Sequence, residues 1–156
     1  MSGAVDEMVL EDDLVAAGWR SIRPSAFSRL IGPIYHRRDG EAPRFCFRVD
    51  PKHDNSQGRP HGGMIMSFCD EALGLSAHWA RPGSAFFTIG FECQFIDAAR
   101  LGELVEITTH VTRATASLVF MRGDCTVDGR VIASCTGIWK AVRPRPAGTE
   151  GRTGGG

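Results

Sequence analysis

The chain has 156 residues, of which 42% are hydrophobic and 23% are charged, as expected for one globular domain with its own core. Its 18 basic residues balance its 18 acidic residues, so the formal charge is zero and nothing points to a nucleic acid or an anionic membrane as partner. The five cysteines include no CxxC pair, the N-terminus has no signal-peptide pattern, and no apolar run approaches the roughly 20 residues that cross a bilayer. We therefore expect a soluble cytoplasmic protein with free, buried thiols.

The first part of the chain predicts a short helix, two strands and a loop. Residues 6–19 have the apolar spacing of an amphipathic helix. Residues 26–38, which a Gly-Pro pair interrupts, are interpreted as a kinked first strand. Residues 44–50 ("RFCFRVD") alternate as a strand does, and residues 51–60 ("PKHDNSQGRP") form a polar loop.

A long helix and four strands are predicted next. The helix covers about residues 62–80 and is apolar around nearly its whole circumference, which predicts burial on all sides. The period then changes to two, and the strands are expected at residues 87–95, 104–111, 116–126 and 130–142. The dipeptide Asp128-Gly129 favours a tight hairpin between the last two. Short connections favour an antiparallel meander of all four strands.

These elements predict an α+β fold, in which one antiparallel sheet curls around one long central helix. Residues 1–25 would be an N-terminal helical extension and residues 26–142 the main domain. Residues 143–156 ("RPRPAGTEGRTGGG") contain no core-forming side chain and are expected to be disordered.

Gly62 and Gly63 stand at the predicted start of the long helix. Inside a helix each would cost roughly 1 kcal/mol relative to alanine, but at its start glycine lets another group approach the backbone. The free N–H groups there, with the positive end of the helix dipole, suit an anion or a developing oxyanion. Taken alone, the pair is a weak signal, and a turn that requires unusual dihedral angles is the simpler explanation of it.

Asp70 and Glu71 lie in the middle of this apolar helix. A buried, unpaired carboxylate costs several kcal/mol, so a carboxylate retained there is a candidate functional group. The pattern leaves open which of the two it is, and whether either is simply solvated or bonded to a strand. Asp70 follows Gly63 by seven residues, or roughly 10 Å along the axis. If both act on one atom, they come from two antiparallel helices of a symmetric dimer.

The motif N-x5-HGG-x6-D, formed by Asn55, His61, Gly62, Gly63 and Asp70, resembles the hotdog-fold acyl-CoA thioesterases. The resemblance is to the phenylacetic-acid-pathway (PaaI-like) branch of the 4-hydroxybenzoyl-CoA thioesterase superfamily. It continues in "FFTIGFECQFIDAARLGE", residues 86–103, and covers roughly residues 44–142. It implies a hotdog fold, an acyl-CoA substrate, no cofactor, and a homodimer that assembles further into a homotetramer.

The resemblance also implies roles for individual residues. Asp70 would be the general base or nucleophile, and the Gly62 N–H would polarise the thioester carbonyl. Asn55 and His61 would position the carbonyl, the water or the helix start, while Thr88 would orient the carboxylate or the water. Gly63 and Met64 would contact the substrate, although Met64 also suits the core. The chain departs from the family at Asp97-Ala98, where a proline is common, and at Gly90.

Other classes of function have weaker support. A metal site is disfavoured because no HxH or HExxH spacing occurs, and His53 is interpreted as a surface residue of the loop. A serine hydrolase lacks its G-x-S-x-G elbow. A hotdog dehydratase is a related alternative, and an acyl-CoA binding protein or sensor without turnover is the main alternative from another class.

Overall fold

The computed structural model describes residues 12–142 as a seven-stranded antiparallel sheet packed against one long helix. The strands are β1 (Arg20–Ser21), β2 (Tyr35–Arg37), β3 (Arg44–Arg48), β4 (Ala85–Phe95), β5 (Leu104–Ala114), β6 (Leu118–Val127) and β7 (Arg130–Val142). Helix α1 covers Ala26–Ile31, helix α2 covers Gly62–Ala80, and a 3₁₀ turn covers Pro51–His53. The sheet order is β1-β2-β3-β5-β6-β7-β4. The predicted sheet around a central helix is therefore confirmed.

Helix α2 buries one face against the sheet and leaves the other partly open. Its buried side chains follow the helical spacing and belong to the main core: Met64, Ile65, Phe68, Cys69, Ala72, Leu73 and Ala77. The prediction that α2 is buried on all sides is wrong, because the sheet covers only one face. Met66 is 38% exposed, and Asp70 and Glu71 are half-buried. The acidic pair thus lies at the margin of the core.

Residues 26–38 are a helix followed by a strand, so the predicted kinked strand is wrong. The Ser25 Oγ accepts a hydrogen bond from the Ser28 N–H at 3.0 Å and caps α1, and Gly32 ends it. A local cap and apolar residues at helical spacing therefore outweigh the Gly-Pro break. Further towards the N-terminus, residues 12–16 are helical and belong to the helix predicted over 6–19.

The last four strands do not form the predicted meander. β5, β6 and β7 are successive neighbours, and the predicted Asp128-Gly129 hairpin joins β6 to β7 with φ values of 48° and 79°. β4, however, pairs with β7 on the far side from β5. The eight residues 96–103 can extend about 26 Å, which exceeds three strand spacings of about 4.8 Å. A short connection therefore did not require β4 and β5 to pair.

β4 is one of the two edge strands of the described sheet and carries an uncovered apolar surface. Phe87 is 63% exposed, Ile89 56% and Phe95 54%. An edge strand with several exposed large apolar side chains is typical of a surface that another chain covers.

No helix among the described residues is long and apolar enough to cross a membrane. The tail predicted at 143–156 lies outside the described residues.

Candidate active site

Asp70 and Thr88 meet where the middle of α2 passes β4. The Thr88 Oγ1 donates a hydrogen bond to the Asp70 Oδ1 at 2.7 Å. The register of β4 against β7 shifts between Thr88 and Gly90, which marks a β-bulge at this point. A bulge turns neighbouring side chains in a new direction, and here it accompanies the contact of Thr88 with the helix. Asp70 keeps its second carboxylate oxygen, Oδ2, for other partners.

A pocket of about 320 Å³ opens beside this carboxylate. It is bordered by Phe27, Met66, Ser67, Asp70, Glu71, Thr88 and Phe91. Three of these residues are large and apolar, while the polar groups are concentrated on one side of α2 and at the bulge. A pocket with an apolar wall and a few convergent polar groups is the usual form of a small-molecule site.

The start of α2 presents one backbone donor rather than two. His61 is the N-cap, and its Nδ1 accepts the Gly63 N–H at 2.9 Å. The Gly62 N–H has no acceptor within the part of the chain that the structure describes. A Cβ on Gly62 would lie 3.1 Å from Cζ of Phe95, so this ring covers the glycine closely. The candidate oxyanion donor is therefore the Gly62 N–H, and Gly63 is engaged in the cap.

A second pocket, of about 280 Å³, lies at this end of the helix. It is bordered by Leu30, Ile31, Lys52, His53, Asp54, His61, Gly63, Met64 and Ser67. Met64 is buried, with 7% of its surface exposed, so it contributes to the core as well as to this wall. Of the residues that border the Asp70 pocket, Ser67 alone also borders this one. The structure of a single protomer thus keeps the carboxylate and the glycine end of α2 in separate pockets.

Asn55 borders neither pocket. Its Oδ1 accepts the Gln57 N–H at 3.0 Å, and its own N–H donates to the Arg59 carbonyl at 2.8 Å. These bonds close the loop that leads from the 3₁₀ turn to α2. Asn55 therefore stabilises this loop. Within one protomer it makes no hydrogen bond to Asp70 or to the Gly62 N–H among the described residues.

Sequence reasoning missed the contribution of α1 to the site. Phe27 borders the Asp70 pocket, and the Ser28 Oγ donates to the Glu71 Oε1 at 2.9 Å. Glu71 is thus held by α1, which distinguishes it from Asp70. The signal was available in the Ser25 cap and in the spacing of Phe27 and Leu30, but the Gly-Pro pair that follows favoured a strand.

His53 is a buried structural residue, so its interpretation as a surface residue is wrong. Its exposure is 5%, because the 3₁₀ turn places the ring against Phe47. Its Nδ1 accepts the Asp50 N–H at 3.0 Å, and its Nε2 donates to the Ile31 carbonyl at 2.8 Å. The ring therefore joins the end of α1 to the loop before α2. Burial lowers the pKa of His53 below its usual 6.5, although the bond to Ile31 acts in the opposite direction.

We expect the free energy of unfolding to decrease in mild acid, because the stabilising contribution of His53 is lost there. Because its folded pKa is below its unfolded pKa, its contribution is complete above pH 6.5 and is lost as the pH falls through the folded value. The free energy of unfolding in urea, measured at about pH 7.5 and about pH 5.5, should therefore fall more in the wild type than in His53→Gln. The lowered pKa of His36 and the raised pKa of Glu106 are common to both proteins and cancel in this difference. An equal decrease in the free energy of unfolding in both proteins would contradict this role of His53.

Comparison with known proteins finds similarity to thioesterases and to an esterase. The model of the Thioesterase superfamily matches residues 57–133. The Pseudomonas aeruginosa protein named "Putative esterase PA0474" is 29% identical over 119 residues, which are 75% of this chain and 89% of that protein. Acyl-coenzyme A thioesterase 13 of Homo sapiens is 26% identical over 110 residues, which are 69% of this chain and 79% of that protein.

Solved structures share the fold at lower identity. Thioesterase superfamily member 2 of zebra fish aligns with a TM-score of 0.70 and 21% identity, over 77% of this chain and 89% of that chain. A hypothetical thioesterase protein with coenzyme A from Streptococcus pneumoniae TIGR4 aligns with a TM-score of 0.65 and 20% identity, over 82% of this chain and 98% of that chain. The predicted hotdog fold is therefore confirmed.

Proposed function

We infer that this chain, a thioester hydrolase with the hotdog fold of the thioesterase superfamily, acts on acyl-CoA and uses Asp70 as its general base or nucleophile. The observation that carries the proposal is the bond between Thr88 and Asp70 at the mouth of a pocket. Thr88 occupies Oδ1 and orients the carboxylate, so that Oδ2 faces the substrate or the attacking water. General-base catalysis by a positioned carboxylate contributes typically about 10²–10⁴-fold.

The reaction requires a water, a base and a donor for the carbonyl oxygen. As general base, Asp70 takes a proton from water while the oxygen attacks the thioester carbon. Negative charge develops on the carbonyl oxygen, where one preorganised N–H donor contributes about 2.7–4 kcal/mol. The C–S bond then breaks, the CoA thiolate leaves and takes up a proton, and the free acid remains. We assign the donor role to the Gly62 N–H, with His61 and Asn55 fixing the helix start and its loop.

We propose that each site is built from two protomers. The seven-residue separation of Gly63 and Asp70, the two separate pockets and the apolar edge of β4 all support a symmetric dimer. Pairing of β4 with the β4 of a second protomer would cover Phe87 and Ile89 and place two α2 helices side by side. The family resemblance suggests that such dimers assemble further into a homotetramer.

The pocket favours a compact acyl group with an aromatic ring. Phe27 and Phe91 supply two aromatic walls, and Met66 supplies a flexible third. This composition supports the PaaI-like branch and an aromatic acyl-CoA as substrate.

The hotdog domain would comprise residues 26–142, to which the extension 1–25 adds strand β1. The five cysteines are free, which supports a reducing cytoplasm as the location.

A panel of CoA thioesters tests the proposal directly. Release of free thiol is measured with a chromogenic thiol reagent for aromatic, short, medium and long acyl groups, with Asp70→Asn as the matched control. We expect turnover that depends on Asp70 and is fastest for an aromatic acyl group. Binding of acyl-CoA without turnover in any class would instead support an acyl-CoA binding protein.

We expect Thr88→Ala to reduce kcat about tenfold, because a hydrogen bond to a charged group contributes about 1.5–3 kcal/mol and the exposure of this one places it at the lower end. Thr88→Ser keeps the hydroxyl and should retain most of the activity. Steady-state kinetics should place the loss in kcat rather than in KM. Equal losses in the alanine and serine variants would contradict an orienting role for the hydroxyl.

A further inference from the structure

Phe95 is an exposed aromatic residue whose ring lies against the start of α2. It is the last residue of β4, and 54% of its surface is exposed. A Cβ on Gly62 would lie 3.1 Å from the Cζ of this ring, 3.5 Å from Cε1 and 3.6 Å from Cε2. The outer edge of the ring therefore points at the glycine whose N–H we assign to the oxyanion. A thioester carbonyl that binds this N–H lies beside the Phe95 ring.

The geometry of β4 explains this orientation. Phe91, Cys93 and Phe95 alternate in a part of β4 that pairs with β7 without a shift in register, so the three side chains project from one face. Phe91 and Cys93 pack against the main core. Phe95 projects in the same direction but meets the first residue of α2, Gly62, which has no side chain to cover it. The ring therefore packs on the glycine and leaves its other side exposed.

The Phe95 ring belongs to neither of the two pockets described above. The Asp70 pocket is bordered by Phe91 but not by Phe95, and the pocket at the start of α2 does not include Phe95. In the proposed dimer, the start of α2 of one protomer approaches the Asp70 pocket of its partner. Since Phe95 packs on Gly62 of its own chain, the ring accompanies this glycine to the partner's pocket. Its exposed side then faces the same space as Phe91 of the partner subunit.

We propose that Phe95 determines acyl specificity across the dimer interface, because its ring closes the acyl pocket of the partner's Asp70. This inference rests on the proposed function. The large side chains that border the pocket, Phe27, Met66 and Phe91, are apolar, whereas the pantetheine arm of CoA carries amide groups that require polar contacts. The rings of Phe91 and Phe95 therefore suit the acyl group, and an aromatic acyl group fits between them in the stacked or edge-to-face contacts that aromatic rings prefer.

Steady-state kinetics of Phe95→Ala tests this role. The kcat/KM for an aromatic acyl-CoA, divided by that for a short acyl-CoA, should fall about tenfold. A lost apolar contact in a pocket costs about 10–200-fold in discrimination, and the exposure of this ring places it at the lower end. A purely structural effect would lower both kcat/KM values and leave their ratio unchanged.

Ile96→Ala is the matched control for this experiment. Ile96 is the next residue and is 60% exposed, but the three atoms nearest to a Cβ on Gly62 all belong to Phe95. The control should keep the wild-type ratio. An unchanged ratio in Phe95→Ala, or the same fall in Ile96→Ala, would overturn the proposal.

Binding of non-hydrolysable thioether analogues of acyl-CoA separates this role of Phe95 from the proposed function. In calorimetric titrations, the Kd of the aromatic analogue should be about tenfold higher for Phe95→Ala than for the wild type, and the Kd of the short analogue should be unchanged. This result in a chain that hydrolyses no thioester would refute the proposed function and support the role of Phe95. Equal affinities, or no binding of the aromatic analogue to the wild type, would overturn that role.

Mixed dimers test whether the ring acts on the partner's pocket. A dimer of an Asp70→Asn chain and a Gly62→Pro chain has one intact site, to which the first chain supplies Gly62 and the second supplies Asp70. Phe95→Ala should lower the ratio of the two kcat/KM values when it is added to the Asp70→Asn chain. It should leave the ratio unchanged when it is added to the Gly62→Pro chain. The reverse result, an equal effect from either chain, or a mixture that exchanges subunits without activity would overturn the action across the interface.

Discussion

Replacement of Asp70 by asparagine is expected to lower kcat for acyl-CoA hydrolysis by about 10²–10⁴-fold while the fold is retained. Asparagine has the same shape, and its side-chain oxygen can still accept the Thr88 hydroxyl, but it can neither take a proton from water nor act as a nucleophile. Because Asp70 is half-buried at the margin of the core, the change leaves no cavity and no unpaired charge. Steady-state kinetics on the best thioester of the panel, with thermal unfolding as a check of folding, measures the effect.

Glu71→Gln is the matched control for this prediction. Glu71 borders the same pocket and carries the same charge, but its Oε1 accepts the Ser28 hydroxyl from α1. Its replacement should therefore weaken the attachment of α1 to α2 and affect stability more than kcat. A larger loss of kcat in Glu71→Gln than in Asp70→Asn would reverse the assignment of the two carboxylates.

The sequence was informative about elements and less so about their partners. The alternation of Phe45 and Phe47, and the apolar spacing from Met64 to Ala77, reflect burial on one face, and burial patterns are local properties of the chain. The pairing of β4 with β7 depends on where the residues that follow Phe95 travel across the sheet, and no local pattern encodes that path. Helix α1 was missed because six residues give too short a window for periodicity to outweigh Gly32-Pro33.

In the candidate site, too, the sequence predicts features within one element better than contacts between elements. Helix geometry alone separates Gly63 from Asp70, since both lie on one regular element. The contact of Asp70 with Thr88 joins a helix to a bulged strand 18 residues later, and only the family motif suggested it. The roles of Gly62 and Gly63 also could not be distinguished by spacing. They differ because the His61 Nδ1 accepts the Gly63 N–H and leaves the Gly62 N–H free for a ligand. This difference depends on the side-chain orientation of His61.

Gly62→Pro is expected to lower kcat by about 10²–10³-fold, because proline removes the backbone N–H that we assign to the oxyanion. The first position of a helix tolerates proline well, and His61, with φ −58° and ψ 141°, already has the conformation that a residue before proline prefers. The fold should therefore survive. Gly62→Ala adds a Cβ against the exposed Phe95 ring but keeps the N–H, so it should retain much more activity. Equal losses in the two variants would indicate a steric cause.

Mixing the two inactive chains tests whether one site uses two protomers. In a heterodimer of Asp70→Asn and Gly62→Pro, one site would contain both defects and the other would combine an intact Asp70 with an intact Gly62 N–H. Random reassociation makes about half of the dimers mixed, and half of their sites intact, so about a quarter of the wild-type activity should return. A tetramer built from such dimers gives the same fraction. A mixture that exchanges subunits but stays inactive would place both groups in one protomer, which the seven-residue separation of Gly63 and Asp70 along α2 opposes.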